Sequence, residues 1–384
     1  MDSHPPANSG NLHGFRYYIF EYIDIIIGLI FAIVTFETYH SSEYISVFSA
    51  AIAIGAFSMT VAEIADILSD RLQEPYASFV LTFSAVIVEI VLLYMIVGNT
   101  GGSALGLETV KGGIISAVIV DMNVLLGLAV FVGGLRFKEQ EHNEDTSSTY
   151  TTILLVAASA LLVPSILNYT DNQQKLFEAS VMIAVLLTIF YVFIFIFQTK
   201  THEHFFKATA KSRMFKIKKR HREVEDEDYI FYKVPNIVNF IAIFGLLIII
   251  GFLAEMFAHN GMHLAKEYNI SSGLAGLIIA IIAVSPEVIT ALKAAKDDEI
   301  QRVINIAMGA SVVSIMITVP VLMVLSYYNG IMLSLDFNAF QVGALILTVI
   351  LVWKTTDNGE TNYIEGISHL MFFAAYATIA TLYN

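Results

Sequence analysis

The sequence predicts an all-α integral membrane protein, because its composition and the spacing of its apolar residues both favour that fold class. Hydrophobic residues make up 56% of the 384 residues and charged residues only 14%, whereas about a quarter of the residues in soluble domains are charged. The apolar residues fall in runs about 20 long, the length that a helix rising about 1.5 Å per residue needs to cross a hydrocarbon core of about 30 Å. A lipid bilayer is therefore the predicted environment.

About eleven of these runs are predicted to be membrane-spanning helices. They lie at residues 18–38, 44–66, 76–98, 111–134, 150–168, 177–198, 234–257, 268–292, 302–326, 330–353 and 363–382. An odd number of spans places the two termini on opposite sides of the membrane.

The distribution of basic residues predicts the orientation of these spans. Of the 21 Lys and Arg residues, 18 lie in segments that share the side of the N-terminus, and only Lys111, Lys175 and Lys266 lie on the other side. The positive-inside rule then predicts a cytoplasmic N-terminus and a C-terminus outside, and the eleven-span pattern favours a multi-pass protein of the cytoplasmic membrane.

The chain divides into four predicted parts: the N-terminal tail with the first helix (1–43), a five-helix half (44–198), a linker (199–233) and a second five-helix half (234–384). Because five is odd, the two halves are inverted relative to each other. The linker changes from a basic stretch to an acidic run, namely from Lys216, Lys218, Lys219, Arg220 and Arg222 to Glu223, Glu225, Asp226, Glu227 and Asp228. This pattern indicates either a solvated linker that sets the topology or a regulatory contact with cations or lipid headgroups.

A short internal repeat places one glutamate in the second span of each half. Residues 85–91 read AVIVEIV and residues 283–289 read AVSPEVI, so Glu89 and Glu287 occupy matching positions. Inverted repeats are typical of secondary transporters, which bind their cargo between the repeats near the membrane midplane. We therefore expect the two glutamates to face each other.

A glutamate inside a span normally faces a cavity, a partner or an ion, because an ionised carboxylate in hydrocarbon costs at least about 2.5 kcal/mol. Paired carboxylates, with the carbonyls that Pro286 frees in its helix, offer oxygen ligands suited to Ca2+ or Na+. The same carboxylates bind protons, and competition between metal ion and proton is sufficient for antiport. The alternatives are a permanently protonated Glu89 in the core and an ion pair of Glu287 with Lys293.

Further polar residues of the spans are candidates for supporting roles. Additional ligands are expected among Asp121, Asn123, Ser311, Ser314 and Thr318, for which hydrogen bonding between packed helices is the alternative. Glu63 and Asp66 lie three residues apart on one helix face and are the candidate cytoplasmic access point, although interfacial solvation explains them equally well. Asp24 and Glu255 have no counterpart in the other half, and His369 suits core packing.

Other classes of protein are disfavoured. The absence of cysteine excludes disulfides, thiolate metal sites and cysteine nucleophiles. No His-Glu-x-x-His pair or Gly-x-Ser-x-Gly elbow indicates a hydrolase, so the chain is predicted not to be an enzyme. No basic patch indicates nucleic acid, and no cofactor is expected. A passive cation channel also lines its pore with carboxylates and stays an alternative, which counter-transport would distinguish.

The sequence also resembles a known family. Residues 65–76, ADILSDRLQEPY, lead into Glu89 and resemble the signature of bacterial ChaA-type calcium/proton antiporters in the cation/Ca2+ exchanger superfamily. The likeness continues through Gly133–Gly134, Gln198–His202, Ser285–Glu287, Ala291–Ala294, Gln301–Arg302, Thr318–Pro320 and Phe373–Tyr376.

This resemblance implies two inverted five-helix halves behind an extra first helix, with Glu89 and Glu287 as the acidic residues that bind cation and proton in turn. It implies exchange of cytoplasmic Ca2+, or of Na+ or K+, for external protons by alternating access. The alternatives within this fold are a Na+/Ca2+ exchanger and a mainly monovalent cation/proton antiporter. The expected partners are inorganic cations, protons and the bilayer, and the oligomeric state is open.

Overall fold

The computed structural model describes residues 22–71, 76–166, 172–206 and 229–382, and this part of the chain is almost entirely helical. The helices of the first half are α1 (Ile23–Thr38), α2 (Glu43–Arg71), α3 (Tyr76–Thr100), α4 (Ala104–Phe137), α5 (Glu144–Ile166) and α6 (Gln173–Thr201). Those of the second half are α7 (Asn236–Glu267), α8 (Ser272–Lys296), α9 (Ile300–Tyr328), α10 (Ala339–Thr355) and α11 (Tyr363–Leu382). The predicted charge reversal of the linker and the predicted cytoplasmic tail lie outside the described residues.

Each predicted span overlaps one of these helices. By length and composition, eight helices in the described ranges, α2 to α9, can cross a membrane, and α10 is a shorter apolar helix. The all-α membrane fold class is therefore confirmed, whereas the number of eleven spans stays a prediction. Large aliphatic and aromatic side chains of α6 and α7 are exposed, as expected for surfaces that face lipid, among them Met182, Phe193, Ile241 and Phe244.

One predicted boundary is wrong. The span expected at 330–353 begins as an irregular segment, and α10 starts only at Ala339, behind a capping box of Asn338 and Gln341. Polar groups of neighbouring helices satisfy this backbone: Ser180 Oγ accepts from the Leu335 N–H at 2.9 Å and Ser165 Oγ accepts from the Phe337 N–H at 2.9 Å. Irregular backbone is tolerated at membrane depth only where protein or water provides such partners.

The helix ends meet on two opposite faces, and we call linker face the one on which the described chain stops at Phe206 and resumes at Tyr229. The end of α2 meets the start of α7 there, because Arg71 Nη1 donates to the Val234 carbonyl at 2.8 Å. A short antiparallel ribbon on the same face pairs β1 (Glu139–Glu141), which follows α4, with β2 (Glu360–Asn362), which precedes α11.

The opposite face brings together the other helix ends. Asn260 near the end of α7 donates to the Tyr39 carbonyl between α1 and α2 at 3.1 Å. Lys111 near the start of α4 is 2.8 Å from Asp336 in the segment before α10. The ends that the positive-inside argument assigned to one side thus share one face, although which face is cytoplasmic stays a prediction.

Helices α4 and α8 cross in backbone contact through glycines. A Cβ atom on Gly276 would lie 2.5 Å from the Gly113 backbone nitrogen, and one on Gly112 would lie 3.2 Å from the Ser272 carbonyl oxygen. Small residues at such crossings let membrane helices approach closely and gain packing energy. The crossing therefore fixes α8, the helix of Glu287, directly against α4.

Both halves interrupt their third helix with a π turn. In α4 the turn covers Val120–Leu125, and in α9 it covers Ser314–Thr318. A π turn inserts one residue into the α-helical ladder and turns the neighbouring side chains to new directions, and such turns are frequent at functional sites. Four of the candidate site residues lie on these two turns.

The ribbon on the linker face holds a buried histidine. The His142 N–H donates to the Gly359 carbonyl at 2.9 Å, and the imidazole lies among buried residues where its Nε2 atom has no hydrogen-bond partner. Burial lowers the pKa of His142 to about 4. The side chain is therefore neutral near pH 7.

We predict that Gly276→Ala destabilises the protein by about 1–3 kcal/mol, because the new methyl group overlaps backbone atoms that cannot rotate away. Thermal unfolding in detergent measures the effect. The matched control is Gly245→Ala on α7, where a Cβ atom meets nothing within 4 Å. Equal midpoints for the two variants would contradict the close crossing.

We also predict that the wild type loses stability relative to His142→Gln as the pH falls from about 6.5 to about 4. In this window the unfolded chain takes up a proton at His142 that the folded chain excludes, so unfolding becomes more favourable. Unfolding midpoints of both proteins at about pH 7.5 and about pH 4.5 test this expectation. A difference between the two proteins that does not change with pH would show that the imidazole is not buried in neutral form.

Candidate functional site

Glu89 and Glu287 both lie in the interiors of their helices, α3 and α8, and both are buried. Each is close enough to the other for their charges to interact. That the two residues face each other stays a prediction. Their assignment as the ion-binding pair likewise stays a prediction.

The π turn of α9 supplies hydrogen-bond donors to Glu89. Ser314 Oγ donates to Glu89 Oε2 at 2.7 Å, and Thr318 Oγ1 lies 3.4 Å from the same oxygen. Hydroxyl groups are suited to this position, because they donate to an ionised carboxylate and can also accept from a protonated one. Two of the predicted additional ligands thus adjoin the first glutamate.

The π turn of α4 brings a third carboxylate. Asp121 is buried, and its Oδ2 atom accepts a hydrogen bond from Ser311 Oγ on α9 at 3.1 Å. Its charge interacts with those of Glu287 and Glu89. The site therefore combines α3, α4, α8 and α9, two helices from each half.

Each of the three carboxylates keeps one buried oxygen without a hydrogen-bond partner: Glu89 Oε1, Asp121 Oδ1 and Glu287 Oε1. An unsatisfied buried polar atom costs about 1–3 kcal/mol, so three in one region require an explanation. Oxygen atoms of carboxylates are ligands for hard cations and acceptors for protons. The arrangement is chemically able to bind either.

The carbonyl expected to be freed by Pro286 is already used. Helix α8 continues through this proline, and Ser285 Oγ donates to the Ile282 carbonyl at 2.9 Å. The hydroxyl thus replaces the N–H that proline lacks. The Ile282 carbonyl thus already accepts one hydrogen bond, and its use as a cation ligand stays a prediction.

Asn123 points away from the carboxylates, although it lies on the same π turn as Asp121. Its amide bonds to His369 Nδ1 and to Thr348 Oγ1, at 3.0 Å and 3.1 Å. This is the interhelical packing role that the sequence left as the alternative. His369 is fully buried, as expected for core packing.

The two acids predicted as an access point form ion pairs between the halves. Lys293 Nζ is 3.5 Å from Glu63 Oε1, and Arg302 pairs with Asp66. Lys293 is therefore the partner of Glu63, and the alternative that pairs it with Glu287 is not what the structure shows.

Two further groups lie apart from the buried carboxylates. Glu255, which the sequence ranked below the pair, is exposed on α7. Glu43, His263 and Glu267 meet on the face opposite the linker, with ligand atoms within 4.8 Å of one another, and His263 Nδ1 is 2.7 Å from Glu43 Oε2. The sequence did not indicate this group, because its members come from α2 and α7.

Comparison with known proteins identifies the family. A family model described as "Sodium/calcium exchanger protein" matches residues 42–200 and 238–382, which together form most of the chain. The chain belongs to this family. The two matched stretches contain α2 to α6 and α7 to α11 almost completely, so α1 stands outside the family match.

Similar proteins include named antiporters. The chain is 26% identical over 335 residues to "Sodium-potassium/proton antiporter ChaA" of Escherichia coli, covering 85% of this chain and 86% of that protein. It is 25% identical over 300 residues to "Ca(2+)/H(+) antiporter ChaA" of Bacillus subtilis, covering 75% of this chain and 81% of that protein. This exchanger family is one of transporters.

Solved structures share the fold. The structure of native YfkE superposes with a TM-score of 0.75 at 18% identity, covering 94% of this chain and 99% of that one. The structure of the H+/Ca2+ exchanger CAX gives a TM-score of 0.67 at 12% identity, covering 96% of this chain and 92% of that one. At these identities the likeness establishes the helical exchanger fold.

Proposed function

We propose that this protein is a secondary transporter that exchanges cytoplasmic Ca2+, and also Na+ or K+, for external protons, with Glu89 and Glu287 binding cation and proton in turn. The observation that carries the proposal is that equivalent helices of the two halves present buried carboxylates with unbonded oxygens. Membership of the exchanger family and the named activities of the similar antiporters support it.

The coupling follows from electrostatics. Like charges at short range in a medium of low dielectric constant raise each other's free energy, so the carboxylates favour a state in which protons or a cation neutralise them. A divalent cation and the protons that it displaces compete for the same oxygens. A site with unneutralised carboxylates is costly at membrane depth. The side of the membrane to which the site is open therefore changes only when the site holds either a cation or protons.

The proposed orientation gives the acids of the linker face a role in access. Glu63 and Asp66 lie near the end of α2, on the face that the basic residues assign to the cytoplasm, and their pairing with Lys293 and Arg302 closes this end of the two halves against each other. A cation that approaches from this side first meets these carboxylates. The transported cation and proton are cargo, and the proposal includes no resident cofactor.

The competing functions are a Na+/Ca2+ exchanger, a mainly monovalent cation/proton antiporter and a cation channel. The family description favours the first, and the sodium-potassium/proton activity named for the Escherichia coli relative favours the second. A channel conducts without counter-transport. Movement of protons against each cation identifies a proton antiporter and its cation, and Ca2+ uptake with or without a Na+ gradient separates the exchanger from the channel.

We predict that Ca2+, Na+ or K+ added outside acid-interior liposomes carrying the protein makes the lumen more alkaline, because cation entry expels protons. A trapped pH dye measures the change. Glu89→Gln and Glu287→Gln each abolish it, since a neutral amide can neither bind the proton nor neutralise the cation. Comparing the three cations ranks selectivity.

The matched control is Glu255→Gln, which removes the same charge from an exposed position on α7. It is expected to transport like the wild type. If no cation moves protons through the wild type, the antiporter proposal is wrong. Uptake of labelled Ca2+ that is driven by a Na+ gradient would then identify a Na+/Ca2+ exchanger. Uptake of labelled Ca2+ without any counter-ion would identify a channel.

We further predict that Asp121→Asn retains antiport but raises the half-saturating cation concentration about tenfold or more, because one of three oxygen donors loses its charge. The maximal rate is expected to change much less, since the two glutamates still carry the protons. Initial rates of dye response against cation concentration give both quantities. An unchanged half-saturating concentration would remove Asp121 from the ligand set.

A further inference from the structure

The π turn that carries Asp121 is held from its other side by a buried polar network. Asn123 Nδ2 donates to the Ile119 carbonyl at 3.1 Å and to Thr348 Oγ1 on α10 at 3.1 Å. Residues two apart on a helix point to nearly opposite sides, in a π turn as in an α-helix, so Asp121 and Asn123 lie on opposite sides of the turn. The network therefore braces the turn without touching the three carboxylates.

The chemistry of the partners fixes the direction of these hydrogen bonds. The Ile119 carbonyl only accepts, so the amide must turn its NH2 group toward Ile119 and its oxygen toward His369. The Asn123 oxygen also only accepts, and His369 Nδ1, at 3.0 Å, must donate to it. His369 Nε2 is 3.0 Å from Thr355 Oγ1 on α10. For a neutral imidazole, the Thr355 hydroxyl donates to this nitrogen.

The network engages both ends of the Asn123 amide and connects the last two helices to the turn. Both amide hydrogens and the amide oxygen are engaged, and all four side chains of the network, Asn123, Thr348, Thr355 and His369, are buried. A buried network that is fully satisfied holds its members in one arrangement, because any rotation leaves a buried group without a partner. The Asn123 amide is thereby held by His369 at its oxygen and by Ile119 and Thr348 at its NH2 group.

We propose that His369 and Asn123 are positioning residues for the ion site: His369 holds the Asn123 amide, which holds the π turn and so directs Asp121 toward Glu89 and Glu287. This inference rests on the ligand role of Asp121 in the proposed function. Residues that orient a ligand from behind typically change metal affinity by about 10–100-fold when they are removed. The last helix, α11, thus contributes to cation binding without contacting the cation.

The test uses three variants of His369 in the full-length protein. The side chain of His369→Asn places its NH2 group near the position of Nδ1 and can still donate to Asn123. The side chain of His369→Gln places its NH2 group near the position of Nε2 and cannot donate to Asn123. The side chain of His369→Leu has no donor. We expect His369→Leu and His369→Gln to raise the half-saturating cation concentration about tenfold with little change in maximal rate, and His369→Asn to restore it. Tyr376→Phe, which removes the 2.8 Å bond from α11 to Ser116 on α4, is the matched control and leaves it unchanged.

A double variant shows whether the effect passes through Asp121. In the background of Asp121→Asn, His369→Leu is expected to cause no further increase, because the ligand that it positions is already lost. Equal increases in both backgrounds would mean that His369 acts by another route and would overturn the inference. Glu89→Gln and Glu287→Gln in the same assay report on the proposed function separately.

Amide hydrogen exchange in detergent tests the brace without any transport. His369→Leu is expected to speed exchange in residues 120–126, where the Leu126 N–H bonds to the Asp121 carbonyl, while His369→Asn and Tyr376→Phe leave it slow. Unchanged exchange in the Leu variant would overturn the positioning role even if the protein transported no cation at all.

Discussion

The burial of three carboxylates in the interior of a membrane protein is the constraint on which the rest of this structure depends. A charged side chain at the centre of a bilayer costs at least about 2.5 kcal/mol, and Glu89, Asp121 and Glu287 are close enough to interact. Such a group persists only if the protein supplies donors and excludes lipid. Helices α3, α4, α8 and α9 surround it, and the hydroxyl groups of Ser311, Ser314 and Thr318 supply the donors.

The local irregularities of the helices serve the same group. Regular α-helices present side chains at fixed intervals, whereas the π turns at Val120–Leu125 and Ser314–Thr318 each add a residue and change which side chains face inward. Both turns lie in the third helix of their half. The two inverted halves therefore each bring one π turn to the site. The proline of α8 is accommodated in a similar way, because a serine hydroxyl replaces the missing backbone donor.

Much of this could be predicted from the sequence. Apolar runs gave the helices, because the hydrocarbon thickness sets their length, and the short repeat gave Glu89 and Glu287 as a pair. The late start of α10 could not be read from hydropathy, because its preceding backbone is stabilised by serines of α5 and α6 that are more than 150 residues distant in sequence. The π turns leave no sequence pattern, so the partners of Asp121 and Asn123, Ser311 on α9 and Thr348 on α10, were not foreseeable. The pairing of Lys293 with Glu63 likewise depends on how the halves pack.

The glycine crossing of α4 and α8 has a consequence for how such a protein can move. Where two helices touch through backbone atoms, no flexible side chains remain between them to absorb a shift, and sliding one past the other would bring rigid groups into collision. The two helices therefore behave as one solid part, which carries Asp121 and Glu287 together. Glu89 lies on α3, outside this pair of helices, and α9 donates hydrogen bonds both to Glu89 and to Asp121. A rearrangement that moves α3 relative to these two helices would then change the distance from Glu89 to Asp121 and Glu287, which keep their own separation.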